Sequence, residues 1–268
     1  MRTIVHLSDL HFGRLDDRII GPLIERIRSL QPNLIAVSGD LTQRARRRQF
    51  QQASAFLHSL PFPKLVVPGN HDVPLFNLAA RLFDPFGGYR RWINTDLEPA
   101  YIDEEVAVIG LNSARALITG GRGRLNLRQV DAAVERLQPL PAAAIKVIVT
   151  HHPFDLPEGS PADNLVGRAS TAMQRFAAAG ADLFLAGHLH VSHVGHTADR
   201  YSITGHSALV VQAGTLSTRG RGELNTFNVL RIARPEMSVE RYSWDSGSRV
   251  FERSFEGRFR HTAEGWTA

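Results

Sequence analysis

The chain has 268 residues, a formal net charge of +5 and 43% hydrophobic residues, which is typical of a globular protein with a well-filled core. It contains no cysteine, which excludes disulfides, thiolate metal sites and a cysteine nucleophile. No apolar stretch approaches the ~18 residues that a membrane span needs, and no signal peptide is visible. We therefore expect a cytoplasmic protein without a membrane span.

The first part of the chain alternates apolar runs with amphipathic segments. Residues 3–7, 34–37 and 65–67 are short apolar runs typical of buried strands. Between them, apolar residues at helical spacing predict helices over 17–30 and 50–60. This β-α-β order favours parallel pairing of the strands.

The same alternation continues through the middle of the chain. Apolar runs predict strands over 106–111, 147–149 and 183–186. Helical spacing predicts helices over 125–137 and 171–179, the second closed by a glycine.

The C-terminal part, from about 191 to 260, has a different character and is rich in predicted strands. They cover residues 208–212, 225–232, 238–244 and 250–258. Because strands and polar clusters intermingle along the chain, we predict one domain over 1–268 that contains two packed sheets.

Two segments allow more than one interpretation. Arginines at positions 44, 46, 47 and 48 form either a solvated loop or a cationic rim that guides a phosphate substrate. Residues 76–88 carry several large apolar side chains, which we expect to pack on the domain, with a lid over the cleft as the alternative. These side chains are Phe76, Leu78, Leu82, Phe83 and Phe86.

Five of the predicted strands end in polar side chains that can bind a metal or transfer a proton. The five clusters are Ser8-Asp9-Leu10-His11, Ser38-Gly39-Asp40, Gly69-Asn70-His71-Asp72, His151-His152 and Gly187-His188-Leu189-His190. In open α/β sheets, ligands bind beyond the carboxyl ends of the strands. We therefore expect the five clusters to converge on one crevice.

The donor types in these clusters predict a metal centre. Oxygen and nitrogen ligands without cysteine select Mn, Fe, Zn or Co. The candidate ligands are Asp9, His11, Asp40, Asn70, His151, His188 and His190. Seven ligands are more than one ion can use, whereas two ions ~3.5–4 Å apart, bridged by a carboxylate and a water, use them economically. A water held between two ions is easily deprotonated, so a bridging hydroxide is the expected nucleophile.

The charge balance and the neighbouring side chains favour phosphate chemistry. Two divalent ions and two carboxylate ligands leave a net positive site, which suits a phosphoester oxygen. His71 follows Asn70 and is a candidate to protonate the leaving alkoxide. We expect Asp72 to orient His71.

These clusters resemble the five motifs of the calcineurin-like metallophosphoesterase superfamily: Asp-x-His, Gly-Asp, Gly-Asn-His-Asp, a lone His and Gly-His-x-His. All five occur in order between residues 9 and 190. The resemblance implies an α/β fold, a four-layer αββα sandwich of two mixed β-sheets flanked by helices. It implies one metal on Asp9, His11, Asp40 and His190, and a second on Asp40, Asn70, His151 and His188. His71 is then catalytic without being a ligand.

Within the superfamily, the chain is most similar to bacterial class III cyclic-nucleotide phosphodiesterases and their glycerophosphodiesterase relatives. The similarity lies chiefly in the stretches 6–11, 39–42 and 69–72. It implies a metal-dependent phosphodiesterase that cleaves a small or cyclic nucleotide phosphodiester, and it is compatible with a homodimer.

Three alternatives remain open at the level of sequence. A nuclease acting on DNA or RNA is suggested by the arginine cluster and the high isoelectric point. A lipid-linked nucleotide pyrophosphatase is disfavoured, because similar enzymes typically have Arg where this chain has His71. A non-catalytic scaffold of the same fold is disfavoured because all seven candidate ligands are present.

Overall fold

The computed structural model describes residues 1–118, 120–201, 203 and 206–268. The strands in chain order are β1 (Arg2–Leu7), β2 (Leu34–Ser38), β3 (Lys64–Val67), β4 (Ala100–Ile102), β5 (Val106–Gly110), β6 (Ile145–Val149), β7 (Leu183–Ala186), β8 (His193–His196), β9 (Leu209–Gln212), β10 (Thr226–Ala233), β11 (Glu236–Asp245), β12 (Val250–Thr262) and β13 (Gly265–Thr267). The α-helices are α1 (Asp17–Leu30), α2 (Arg47–Ser59), α3 (Leu78–Phe83), α4 (Gly87–Trp92), α5 (Leu127–Leu137) and α6 (Ala169–Ala178). In this described part of the chain, the helices fall short of the length and apolar character that a membrane span requires.

The strands form two mixed sheets. The first has the order β13-β12-β11-β10-β1-β2-β3, with β1, β2 and β3 parallel and β10 antiparallel to β1. The second has the order β4-β5-β6-β7-β9-β8, with a parallel centre and an antiparallel strand at each edge. The predicted pair of mixed sheets is confirmed.

Three apolar layers hold the sheets and helices together. Side chains alternate along a strand, so Val5 of β1 packs against the layer containing α1 and α2, whereas its neighbour Ile4 packs into the layer between the sheets. The far face of the second sheet, with Ile148 of β6, packs against α5 and α6. Helix, sheet, sheet and helix therefore form the predicted four-layer αββα sandwich.

The β-rich C-terminal part does not form a separate layer. Strands β10 to β13 extend the first sheet beyond β1, and β8 and β9 complete the second sheet. Strands β4, β8 and β13 were not predicted, because they have only three or four residues each and little apolar periodicity. The first sheet thus combines strands from both ends of the chain, whereas the second is built from its middle part.

The apolar segment at 76–88 packs differently from the prediction. Helix α3 has no buried residue, and Phe76 and Phe83 are 74% and 87% exposed. Of the five apolar side chains named there, Phe86 is the one that joins the core. The prediction of core packing is wrong for residues 76–83, because this six-residue helix presents its apolar side chains to solvent.

Candidate metal centre

The seven candidate ligands lie where strands of both sheets end. Asp9, Asp40 and Asn70 follow β1, β2 and β3 of the first sheet, while His151 and His188 follow β6 and β7 of the second. Parallel strands place these ends at a common edge. The structure therefore brings together side chains that are far apart in sequence, and buries most of them completely.

Most of these residues have an unusual backbone conformation. A non-glycine residue with positive φ is uncommon, and it is concentrated at functional sites when the surrounding structure enforces it. Five of the nine such residues in the described chain are candidate ligands: Asp9 (φ 53°), His11 (44°), Asp40 (54°), His188 (73°) and His190 (60°). The turns after the strands are therefore folded so that they direct these side chains inward.

Two glycines allow the turns to approach each other. A Cβ atom on Gly187 would overlap the Ser8 hydroxyl and the Asp9 carboxylate. A Cβ atom on Gly69 would overlap the Asp40 side chain. Only glycine fits at such close backbone contacts, so both positions are fixed by the packing of the centre.

The first ligand cluster consists of Asp9, His11, Asp40 and His190, whose donor atoms lie within 4.8 Å of one another. His190 donates from Nδ1 to the backbone carbonyl of Arg219 at 3.0 Å, so its Nε2 atom is free to act as a ligand. That Nε2 lies 3.1 Å from His11 Nε2 and 3.1 Å from Asp9 Oδ1. Ligand atoms at these separations surround a space suited to a small cation.

The hydrogen bonding of the Asp9 carboxylate indicates whether a cation fits this cluster. Asp9 Oδ2 accepts hydrogen bonds from the Ser8 hydroxyl at 2.7 Å and the His188 amide at 2.9 Å. Asp9 Oδ1 is equally buried but accepts no hydrogen bond from any described group. A buried carboxylate oxygen without a donor is costly, and a divalent ion would compensate it. The residues present therefore fit a metal.

The second candidate ligand set is Asp40, Asn70, His151 and His188. Two of them, His151 and His188, form with His152 a group in which one ring nitrogen of each residue lies within 4.8 Å of the others. His151 donates from Nδ1 to the Ser38 carbonyl at 2.8 Å, which aims its Nε2 atom at Asn70 Oδ1 (3.0 Å) and Asp40 Oδ2 (3.4 Å). Burial alone would lower the pKa of His151, but the charge of Asp40 raises it to about 9. Metal binding at Nε2 requires the neutral ring, so it would release a proton from His151.

His152 lies beside this cluster but its ring nitrogens are already engaged. Its Nε2 atom donates to the Gly121 carbonyl at 2.7 Å, and its Nδ1 atom accepts from the Ser113 hydroxyl at 2.8 Å. Burial and the nearby His188 and His151 hold the pKa of His152 well below its usual value. This ring packs against the ligands as a neutral group and has no free donor atom for a metal.

Asp40 lies between the two clusters. Its Oδ2 atom is 3.6 Å from His11 Nε2 and 3.4 Å from His151 Nε2, and its Oδ1 atom accepts from the His71 amide at 2.8 Å. Burial opposes ionisation, but the neighbouring histidines hold the pKa of Asp40 well below its usual range. An ionised carboxylate shared by both clusters has the position expected of a bridging ligand.

The structure places His71 and Asp72 in separate hydrogen-bond networks. His71 donates from Nδ1 to the Gln43 carbonyl at 2.9 Å, and its Nε2 atom accepts from Arg219 Nη1 at 2.9 Å. Asp72 instead accepts hydrogen bonds from the backbone amides of Leu41, Thr42 and Gly69. The prediction that Asp72 orients the His71 ring is therefore wrong: Asp72 joins the turns after β2 and β3, and Gln43 orients His71.

Arginine side chains surround the opening of the centre. A cavity of about 590 Å³ reaches Asp40, Asn70, His71, His188 and His190. Its wall also contains five arginines, Arg44, Arg81, Arg115, Arg219 and Arg221. Arg219 was not predicted, because arginines that alternate with glycines in a turn, as Arg219 and Arg221 do, carry no signal of a site. Its position beside His11 and His71 depends on the fold.

Comparisons with known proteins agree with this architecture. A family model described as calcineurin-like phosphoesterase matches residues 2–192. A glycerophosphodiester phosphodiesterase, GpdQ, from Enterobacter lignolyticus is 30% identical over 80 residues, a match that spans 26% of this chain and 29% of that relative's length.

Solved structures show the same fold at low sequence identity. A dimetal phosphatase from Danio rerio superimposes with a TM-score of 0.67 at 11% identity, covering 97% of this chain and 99% of that one. A purple acid phosphatase from yellow lupin (Lupinus luteus) seeds has a TM-score of 0.64 at 11% identity, covering 95% and 53%. Because the family model spans most of the chain, the protein belongs to the calcineurin-like phosphoesterase family.

Proposed function

We propose that the protein is a metal-dependent hydrolase of phosphodiesters that acts on a small or cyclic nucleotide phosphodiester. The observation that carries the proposal is the buried double cluster, in which Asp40 is shared and Asp9 Oδ1 has no hydrogen-bond donor among the described groups. The limited similarity to a glycerophosphodiester phosphodiesterase supports the choice of diesters.

In this proposal, Asp9, His11, Asp40 and His190 would hold one divalent ion, and Asp40, Asn70, His151 and His188 would hold a second. The ions, which are Mn, Fe, Zn or Co, lower the pKa of water and polarise a phosphoryl oxygen when they are bound. The ligand set contains two carboxylates, so the loaded site is net positive and attracts a phosphodiester.

The chain's own residues orient the substrate and supply a proton. The Gln43 carbonyl fixes His71 Nδ1–H and turns Nε2 towards the cavity. A His71 ring that carries a second proton on Nε2 would give this proton to the leaving oxygen and return to the neutral form, with the Arg219 guanidinium moved from Nε2 to the phosphate. Arg219, whose guanidinium lies between His71 and His11, binds a phosphate oxygen. Asp72 holds the turn that carries Asn70 and His71, and so supports the reaction indirectly.

A substrate panel with added metals tests the proposal. It contains bis-p-nitrophenyl phosphate, p-nitrophenyl phosphate, 2′,3′- and 3′,5′-cyclic AMP, glycerophosphodiesters and single-stranded DNA. We expect diester hydrolysis that requires Mn, Fe, Zn or Co and that Asn70→Ala abolishes, since this change removes one proposed ligand. Asn94→Ala, in a surface turn outside the site, is the matched control. Diester hydrolysis that persists in EDTA would contradict the mechanism.

The arginines around the centre favour a nuclease as the second candidate. Under that alternative, single-stranded DNA would be the best substrate of the panel, and its hydrolysis would fall steeply as salt increases. For either substrate class, we propose that residues 1–268 act as a single domain.

A further inference from the structure

A second groove lies beside the metal centre, between residues 74–84 and the start of α2. Its volume is about 660 Å³, and it shares Arg44 and Leu75 with the wall of the central cavity. A ligand that extends out of the metal centre past Arg44 would therefore enter this groove directly.

The groove is strongly cationic. Arg44, Arg46, Arg47 and Arg91 line it, and none of them forms a salt bridge with a carboxylate in the described residues. The one acidic side chain in its wall, Asp84, is 3.5 Å from Arg90 Nη1. The four positive charges are therefore not neutralised by neighbouring carboxylates, and they attract an anion.

Two of these arginines are held in place by an aromatic ring. The guanidinium of Arg47 lies 5.8 Å from the centre of the Trp92 ring, and that of Arg91 lies 5.6 Å from it. Such cation–π contacts order long side chains before a ligand arrives. The arginines are thus partly preorganised, which reduces the entropy lost when they bind an anion.

The groove also has an apolar wall. Leu75 and Phe76 line it and are largely exposed to solvent, although apolar side chains are normally buried. An exposed aromatic ring beside unpaired arginines suits a ligand that carries a phosphate next to a planar or apolar group.

A single phosphodiester does not need this groove. Its one negative charge is already matched by the proposed metals and by the arginines of the central cavity. Arg46, Arg47 and Arg91 line this groove but not the central cavity, so only a ligand with a second anionic group would use them as well.

We infer that this groove binds a second phosphate of an extended substrate, whose first phosphate is the diester cleaved at the metal centre. The inference rests on the proposed function for the identity of the first phosphate. Two sources have the required chemistry: the terminal phosphate of a short nucleotide, and an internal phosphate of a longer strand.

Two thymidine dinucleotides that differ only in a 5′-phosphate test the groove. Calorimetry on the metal-free chain compares the binding of pdTpdT and dTpdT, and hydrolysis of both is measured with metals. We expect pdTpdT to bind about tenfold more tightly, as charge-assisted hydrogen bonds to arginine imply. An oligothymidylate without a terminal phosphate shows whether internal phosphates also bind there.

Two double variants show which arginines cause the difference in affinity between the dinucleotides. The double variant Arg46→Gln/Arg47→Gln should bring the affinity ratio of pdTpdT to dTpdT close to one. The matched control Arg128→Gln/Arg136→Gln removes two exposed arginines at α5 and should keep the wild-type ratio. Phe76→Ala should weaken the binding of both dinucleotides.

The outcomes separate the groove from the proposed function. The inferred phosphate site would be wrong if the wild type bound pdTpdT and dTpdT equally well. It would also be wrong if Arg46→Gln/Arg47→Gln kept the wild-type affinity ratio. Both conclusions hold even if both dinucleotides are hydrolysed. An affinity ratio near one in the double variant alone would support the phosphate site. If neither dinucleotide were hydrolysed at the same time, only the proposed function would fail. The wild type could instead bind both dinucleotides equally well and bind phosphatidylglycerol vesicles in a way that Phe76→Ala abolishes. This result would rule out the phosphate site and indicate that the groove binds a membrane surface.

Discussion

Arg219 contacts three histidines of the centre through two different groups. Its backbone carbonyl accepts from His190 Nδ1, and its guanidinium donates to His71 Nε2 and lies 3.3 Å from His11 Nε2. A substitution removes the guanidinium but leaves the carbonyl. The two contributions of this residue can therefore be separated by experiment.

Arg219→Gln should lower kcat/KM for diesters by about tenfold to a hundredfold, because it removes a charge-assisted hydrogen bond to phosphate. The number of metal ions bound per chain should stay unchanged, because the carbonyl still orients His190. Steady-state kinetics and elemental analysis measure the two quantities, with Arg136→Gln as the control. A loss of bound metal would show that the guanidinium itself supports the ligands.

His71→Asn should affect substrates according to their leaving group. Alkoxide leaving groups need a proton in the transition state, so their hydrolysis should fall roughly 10²- to 10⁴-fold. Hydrolysis of bis-p-nitrophenyl phosphate should fall much less, because p-nitrophenolate is a stable anion. His58→Asn, on the exposed face of α2, serves as the control. Equal losses on both substrate types would argue against a proton donor.

At the scale of elements, β1 and β2 meet through a buried histidine. His6 Nε2 lies 2.9 Å from the Ser38 hydroxyl across this parallel pair, and its Nδ1 atom has no partner among the described groups. Burial lowers the pKa of His6 to about 3, because the enclosed ring cannot be charged without loss of solvation. The strand pair therefore depends on a neutral His6.

This pKa predicts an acid-sensitive stability. Between about pH 6.5 and 3, the unfolded chain binds a proton at His6 that the folded chain does not, so the free energy of unfolding falls as the pH falls. When the pH falls from 6.5 to 5, the free energy of unfolding should decrease by about 2 kcal/mol more in the wild type than in His6→Gln. Urea titrations of the metal-free chain at both pH values measure this difference.

An exposed histidine provides the comparison for this experiment. His58→Gln should follow the wild type at both pH values, since that side chain is exposed on α2. If His6→Gln loses as much stability as the wild type over the same range, then another group causes the acid sensitivity.

At the scale of the whole molecule, the centre connects the two sheets. Its candidate ligands come from the ends of three strands in the first sheet and two in the second. An ion that binds only the folded chain stabilises it by about 2.7 kcal/mol at a hundredfold excess over Kd. For a chain of this size, that corresponds to a rise in Tm of roughly 5–10 °C.

Calorimetric melting with and without Mn or Zn measures this rise. Asp40→Ala should lose most of it, because Asp40 is the ligand shared by both proposed ions, and each variant is compared with its own metal-free Tm. Asn94→Ala should keep the full rise. An unchanged Tm of the wild type with every metal would contradict a metal centre.

Much of the architecture follows from local sequence. Apolar runs of three to six residues and helical spacing between them located the longer strands and most helices, because buried strands and amphipathic helices have distinct periods. The seven candidate ligands were also identifiable, since polar clusters directly after apolar runs have no structural need. The α/β class and the candidate ligands could therefore be predicted from the sequence, and the resemblance to a known family implied the four-layer arrangement.

Other features were decided only by the tertiary structure. Phe76 and Phe83 look like core residues in the sequence but lie on the surface, and Asp72 bonds to turns rather than to its neighbour His71. Arg219 reaches His71 across 148 positions of the chain. Local sequence patterns indicate which side chains tend to be buried. Hydrogen-bond partners depend instead on how the two sheets bring distant turns together, and this cannot be predicted from a local pattern.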